Sequence, residues 1–365
     1  MSTFIILFLF SWAGLVHGGT GYDLRGRVLD AETGDPVEIV TVYVNGSTKG
    51  TITDKAGWFE LRNVELPCDL VLSHVSYETA RHPVTDTAGA GSMWFRLHKR
   101  MIQLPEASVV QERLRKSYLE RFRSTFLGEE FEWQQAEILN EEVLSFIPLD
   151  QEGYEVYAAG PIEVLLPLSS YRLNVDLIHY STVFSETFQG LHSSLQACFF
   201  FEEIPVSTRS ERRAVARHRM ETFYGSRDHF CRSWYQHKLE ENGYQLVEAP
   251  PENEINDQDG TTAFRYKQWF EASPSGNNVL NITQFSSRAC NLYYHHRSRN
   301  RPVDLTYLDP SARSKRDFSR LLILKDTIRI RPSGRIEENS IMFGNAIGRK
   351  GVAWLLPDDY IPSMQ

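Results

Sequence analysis

Turn residues recur every eight to twelve positions between Tyr22 and Lys99, and no other feature constrains the chain as much. The intervening segments, YDLRGRVLD, IVTVYV, GTITD, WFEL, LVLS, SYETA and SMWFRL, are too short for helices. Several alternate apolar with polar residues and are rich in β-branched and aromatic side chains, the pattern of half-buried strands. Between them stand Ala31 to Pro36, where Gly34 supplies a positive φ and Pro36 stiffens the next entry, then Asn45-Gly46, a hairpin signal, and Lys55-Ala56-Gly57. Seven strands at this spacing predict a two-sheet antiparallel sandwich with a Greek-key path and no helix. Trp58, Tyr77 and Trp94 are candidate contact aromatics of this region, with packing in its core as the expected role.

The turns also carry a resemblance. Gly26-Arg27-Val28 with Asp30, Thr33 to Pro36, Val42-Tyr43-Val44, Gly50 to Asp54, Gly57-Trp58-Phe59 and Ser73 to Tyr77 follow one another as in the carboxypeptidase-like regulatory domain. Ser76 departs from that pattern, standing where the family has glycine before the aromatic. The resemblance covers about a fifth of the chain. It implies a transthyretin-like sandwich of the kind common in secreted and outer-membrane proteins of Bacteroidetes, and no catalytic residue of its own.

The first residues point the same way. Phe4 to Val16 is a continuous apolar run, too short for a spanning helix, which needs about 20 residues. Gly18 and Gly19 follow as small residues suited to cleavage, so the segment reads as a signal peptide, with an uncleaved anchor as the alternative. No cysteine nearby supports a lipid anchor, and no later run is long enough to span a membrane. Cys68, Cys198, Cys231 and Cys290 contain no CxxC pair. In an oxidising compartment they form two bridges in one of three connectivities, or they stay as buried thiols, as the apolar context of Cys198 allows.

The remaining chain is mixed. Residues 100–127 read as a linker strand, LPEASVV, and an amphipathic helix with Leu114, Tyr118, Phe122 and Phe126 on one face, ending at Gly128. Residues 128–365 read as one larger α+β domain. Strands are expected at YEVYA, IEVLLP, YRLNVDLIHYSTVF and LQACFFFEEIP. Helices follow over Arg209–Tyr224 and Arg227–Asn242, the second closed by Gly243, and then a strand at YQLVEA. Pro250 to Gly260 is a polar loop, and YKQWFEA, VLNITQFS and LLILKDTIRIRP are later strands. Phe126-Leu127-Gly128, Asn140 to Leu144, Tyr224-Gly225-Ser226 with His229-Phe230, and Leu356 to Tyr360 make this part resemble the second domain of small Bacteroidetes envelope proteins, which brings no activity with it.

Catalytic signatures are sparse. A zinc peptidase needs two His and a carboxylate with an open position for water. His218/Glu221 and His237/Glu240 form two H-x-x-E matches on expected helices, about what chance supplies for eleven His. Ser226 and His229 place a hydroxyl near an imidazole, but without a nucleophile elbow Ser226 is read as a helix N-cap. The acidic loop does not follow EF-hand order. Asn45 and Asn281 head two glycosylation sequons, of consequence only in a eukaryotic secretory pathway. No catalytic, cofactor-binding or metal-ligating set is therefore singled out.

A net charge of −8 argues against a protein that coats nucleic acid. Arg288 to Arg335 nevertheless holds twelve Lys or Arg against four Asp, a surface for anionic partners or simply solvated charge, with His295-His296 read as surface. The sequence supports a mainly β chain: an N-terminal seven-stranded Greek-key sandwich over residues 21–99 followed by the α+β part, after a signal peptide over residues 1–18. The function it supports is that of a non-catalytic exported protein of the periplasm or outer-membrane surface, without cofactor, docking a protein or glycan through the sandwich. The alternative is a hydrolase whose site is assembled within residues 128–365.

Overall fold

A computed structural model describes residues 21–85, 92–100, 112–149, 153–185, 190–248, 271–275, 279–283, 288–295 and 318–362. The expectations for the apolar leader, LPEASVV, Pro250 to Gly260 and His296 fall outside these residues.

The first part is a sandwich of seven strands: β1 (Tyr22–Asp30), β2 (Thr41–Val44), β3 (Gly50–Ile52), β4 (Trp58–Val64), β5 (Cys68–Ser73), β6 (Ala80–Val84) and β7 (Ser92–Leu97). One sheet has the order β4-β1-β7 and the other β3-β2-β5-β6. Leu24, Val28, Phe59, Leu61, Leu70 and Leu72 meet between them, because alternate residues of each strand face one side. Two details differ from expectation. The pair β1–β7 is parallel, not antiparallel. The sixth strand is Ala80–Val84 and not the SYETA segment, whose Tyr77 closes a turn onto His74 and forms an isolated bridge with Lys99. Pro83 disguises the true strand, yet β6 is a sheet edge, where a residue without N–H is tolerated.

Next come α1 (Glu112–Phe122), β8 (Glu137–Ile138), β9 (Leu144–Pro148), β10 (Tyr154–Ala158), β11 (Ile162–Leu166), β12 (Tyr171–Ser185) and β13 (Gly190–Glu203). The sheet runs β8-β11-β12-β10-β9 with β13 on β12. Phe122 and Phe126 stack at 4.6 Å on its core, whereas Leu114 is 48% exposed, so the first turn of the expected apolar face stands off. The last turn, Arg123–Leu127, widens to a π-helix and stops at Gly128 (φ 96°). A Cβ there would lie 2.1 Å from the Gly351 nitrogen, which explains why glycine ends this helix.

The third group is α2 (Arg209–Phe223), α3 (Arg227–Tyr235), β14 (Tyr244–Glu248), β15 (Glu271–Ser275), β16 (Val279–Thr283), β17 (Ala289–Tyr294), β18 (Phe318–Ile323), β19 (Ile328–Ile330), β20 (Ile341–Gly344) and the short α4 (Asn345–Gly348). Thr208 opens α2 with a reciprocal cap to Glu211. Helix α3 ends seven residues before the expected Asn242. Leu239 is buried with Trp234, but in a continuous helix it would lie about 140° around the axis from it. The chain instead turns at His237 (φ 56°), and Gly243 serves the turn into β14. Strand β17 lies inside the stretch that charge alone had marked as surface.

The sandwich is joined to the rest through one sheet. Tyr43 and Val71, on the outer side of β3-β2-β5-β6, bury against Cys198 and Phe200 of β13. The turn Asn45-Gly46-Ser47 enters the second part: Gly46 N–H donates to the Phe199 carbonyl at 2.7 Å, and Asp358 N–H donates to the Gly46 carbonyl at 2.6 Å.

Candidate functional site

With that sheet committed inward, the outer side of β4-β1-β7 remains the exposed sheet face of the sandwich. Phe59 and Leu61 on β4 and Met93 and Leu97 on β7 take the inward positions, so strand alternation sends Trp58 and Trp94 outward. They are 38% and 59% exposed, which corrects the expectation that they fill the core; of the three aromatics only Tyr77 packs partly against it.

Strand register brings the two tryptophans together. Arg27 on the central strand lies opposite both Trp58 and Trp94. The rings lean over it, centroids 5.6 Å apart at 67°, with the guanidinium carbon 5.5 and 5.7 Å from the two ring centres. Cation–π attraction favours this arrangement, and the Arg27 Nε–H donates to the Ala56 carbonyl at 2.8 Å. In the next row Arg25 donates twice to Glu60 Oε1, at 3.0 and 2.7 Å, and Arg62 donates to Oε2 at 2.9 Å. Those guanidiniums, Arg62 first, pull the Glu60 carboxyl down to about 2. A groove of about 820 Å³ runs beside this row, between β3 and β4, lined by Lys49, Ile52, Trp58, Glu60 and Arg62 among others. The face can stack flat apolar surfaces on indole and bind anions with guanidinium. Contiguous exposure of this kind marks interaction surfaces.

The residues singled out by motif are placed elsewhere. Ser226 is the N-cap of α3, its hydroxyl accepting from the His229 N–H at 3.1 Å. The His229 ring is turned to Gly225 and Tyr244: the Gly225 N–H reaches Nδ1 at 3.2 Å and the Tyr244 hydroxyl lies 2.9 Å from it. Nδ1 is thus an acceptor, the imidazole is the Nε2–H tautomer, and the pair forms no nucleophile–base contact. His218 meets Gln134 at 2.7 Å, and His237 sits in the turn after α3 and not on a helix. Among the described residues no three His, Cys, Asp or Glu are grouped to hold a metal. All four cysteines are buried free thiols. Burial pushes Cys68 up to about 11 and Cys198 and Cys290 up to about 12, which leaves them unreactive. Asn45 is 2% exposed, with its Oδ1 accepting from Phe199 N–H.

In the basic stretch, five cations pair inside the molecule: Arg288 with Asp326, Lys325 and Arg329 with Glu337, Arg331 with Asp69, and Arg335 with Asp358. His295 is half-buried and its backbone N–H donates to Gly243, which corrects its reading as surface.

The geometry describes a β-sandwich with one sheet committed to the rest of the chain and one turned outward. Residues 24–109 match the family of the CarboxypepD_reg-like domain, so the chain carries that module where the turns placed it. Two solved structures are weakly similar to parts of the chain. One is a protein from Bacteroides fragilis described as membrane-associated and of unknown function, with 11% identity over 51% of this chain and 83% of the other, at a TM-score of 0.17. The second is a 9R-lipoxygenase from Cyanothece, with 12% identity over 61% of this chain and 48% of the other, at a TM-score of 0.18. Likenesses at this level leave activity and partner to be read from the chain itself. No curated protein matches the sequence.

Proposed function

We propose that this is an exported, non-catalytic protein of the cell envelope in which the sandwich is a docking module and the part beyond it a scaffold. The observation that carries the reading is the contrast between the two sheets. One buries its outer Tyr43 and Val71 against β13, while the other presents Trp58 and Trp94 around Arg27. Tryptophan and arginine are the side chains that most often dominate binding energy. The apolar leader of Phe4 to Val16 supports export, and no helix among the described residues is long and apolar enough to cross a membrane.

The test is cosedimentation of the purified chain with washed envelopes of the organism that makes it. The wild type is expected in the pellet, and Trp94→Ala is expected to lower the bound fraction about tenfold or more, as for a central binding residue. Equal binding by the two would refute docking through this face.

A further inference from the structure

The composition of the outward face narrows its partner, given the docking reading on which this inference rests. Its side chains are Asp23, Arg25, Arg27 and Leu29 on β1, Trp58, Glu60 and Arg62 on β4, and Ser92, Trp94 and Arg96 on β7, alternating with buried neighbours. Four arginines stand against two carboxylates there, in a chain whose net charge is −8. The face therefore has the sign opposite to that of the whole molecule. Arg25 and Arg62 share Glu60, while Arg27 and Arg96 make no ion pair among the described residues.

We propose that this face binds an acidic polysaccharide, one whose sugars carry carboxylates, as uronic acids do. Three features favour that occupant. A pyranose ring has an apolar C–H face that fits an exposed indole, and Trp58 and Trp94 offer two such rings within one row. A carboxylate matches the planar fork of a guanidinium, which binds it with two parallel hydrogen bonds. The row Trp58–Arg27–Trp94 crosses all three strands on the face of the sheet, while the free backbone edges lie at its flanks on β4 and β7, so an extended peptide pairing with an edge would run beside the row and not over it. A glycan lying across side chains needs no such edge.

The experiment is affinity electrophoresis of the full chain in gels containing polygalacturonate, with neutral dextran and a dT oligonucleotide as comparisons. Polygalacturonate is expected to retard the wild type, and dextran and dT are not. Raising the salt should weaken retardation, since exposed charges are screened. Trp94→Ala is expected to weaken binding about tenfold or more. The double variant Arg62→Gln/Arg96→Gln is expected to lose the preference for the acidic polymer. Thermal midpoints of these exposed-residue variants serve as fold controls. Absence of retardation by polygalacturonate, equal retardation by dextran or dT, or indifference to Trp94→Ala in a folded variant would overturn the proposal. If polygalacturonate fails while Trp94→Ala still abolishes envelope binding, the docking reading stands and the acidic glycan is the wrong partner. If Trp94→Ala leaves envelope binding intact, the docking reading itself falls.

Discussion

Asp176 is the residue on which the joint between sandwich and scaffold depends most. It is 4% exposed, and its carboxylate accepts from Tyr43 Oη at 2.6 Å, Ser73 Oγ at 2.5 Å and Thr79 Oγ1 at 3.2 Å, all from the sandwich. Burial and the adjacent carboxylate hold the Tyr43 phenol well above its ordinary range, so it stays a donor. Asp176→Ala leaves these hydroxyls without their shared acceptor. The expected loss is about 2–4 kcal/mol of stability, read as a lower denaturant midpoint; Asp176→Asn, which keeps one acceptor oxygen, should lose less. Asp30 is a second test at this scale. Backbone N–H groups of Thr33 and Glu32, then the Tyr77 hydroxyl, lower its carboxyl to about 2. A lowered carboxyl contributes stability above its unfolded value near 3.8 and loses it as pH falls through about 2. Asp30→Asn should therefore differ most from wild type near neutral pH and least in strong acid, as followed by thermal midpoint against pH. Asp176 was not legible as special in the sequence, because it acquires its role from hydroxyls far away along the chain, whereas Asp30 is held mainly by the backbone of its own turn.

At the scale of elements, the β2–β3 turn is the peg that fixes the sandwich. Gly46 has φ 82°, and a Cβ there would lie 2.8 Å from Asp358 Oδ2 and 2.9 Å from Arg335 Nη1. Gly46→Ala is expected to cost about 1–3 kcal/mol through backbone conformation and crowding, whereas Gly34→Ala, also at positive φ but with open space around it, should cost less. Comparison of the two midpoints separates crowding from backbone preference. The hairpin signal Asn45-Gly46 was plain in the sequence, but that its tip enters a second part of the chain was not, since turn chemistry is local and docking is not. The same division explains the other outcomes. Six of the seven sandwich strands were legible from alternation, and β12, β13 and α2 from long periodic runs. The early stop of α3 was hidden because Leu239 had to return to the core beside Trp234. Pro83 hid β6, which only its edge position permits. Trp58 and Trp94 are candidate contacts by residue type, and the expectation of core packing fails because parity with Phe59, Leu61 and Met93 sends them outward; the candidate face is thus present in the sequence as a phase.

The whole molecule is held as one piece by its closing segment. Arg232 of α3 donates to the carbonyls of Ser333, Tyr360 and Asp358 at 2.6, 2.7 and 3.0 Å. Asp359 accepts from the Thr48 hydroxyl at 2.6 Å, and Arg335 donates to both the Asn45 carbonyl and Asp358. Asp358 thus sits among Arg335, Arg232, Arg227 and Asp228, against the tip of the hairpin. Desolvation raises its carboxyl to about 6 despite Arg335. A raised carboxyl contributes stability that is fully present below its unfolded value near 3.8 and lost as pH climbs through about 6. Relative to wild type, Asp358→Asn should therefore gain in thermal midpoint between pH 4 and pH 7, and a difference independent of pH would contradict this reading. With one sheet locked to the rest of the chain, the proposed function leaves recognition to the other, and that division is the central claim. Oxidative footprinting of tryptophan side chains, with and without isolated envelope material, tests it most directly. The account predicts that Trp58 and Trp94 are oxidised in the chain alone and protected when envelope is bound. It is contradicted if both stay equally reactive while protection appears elsewhere.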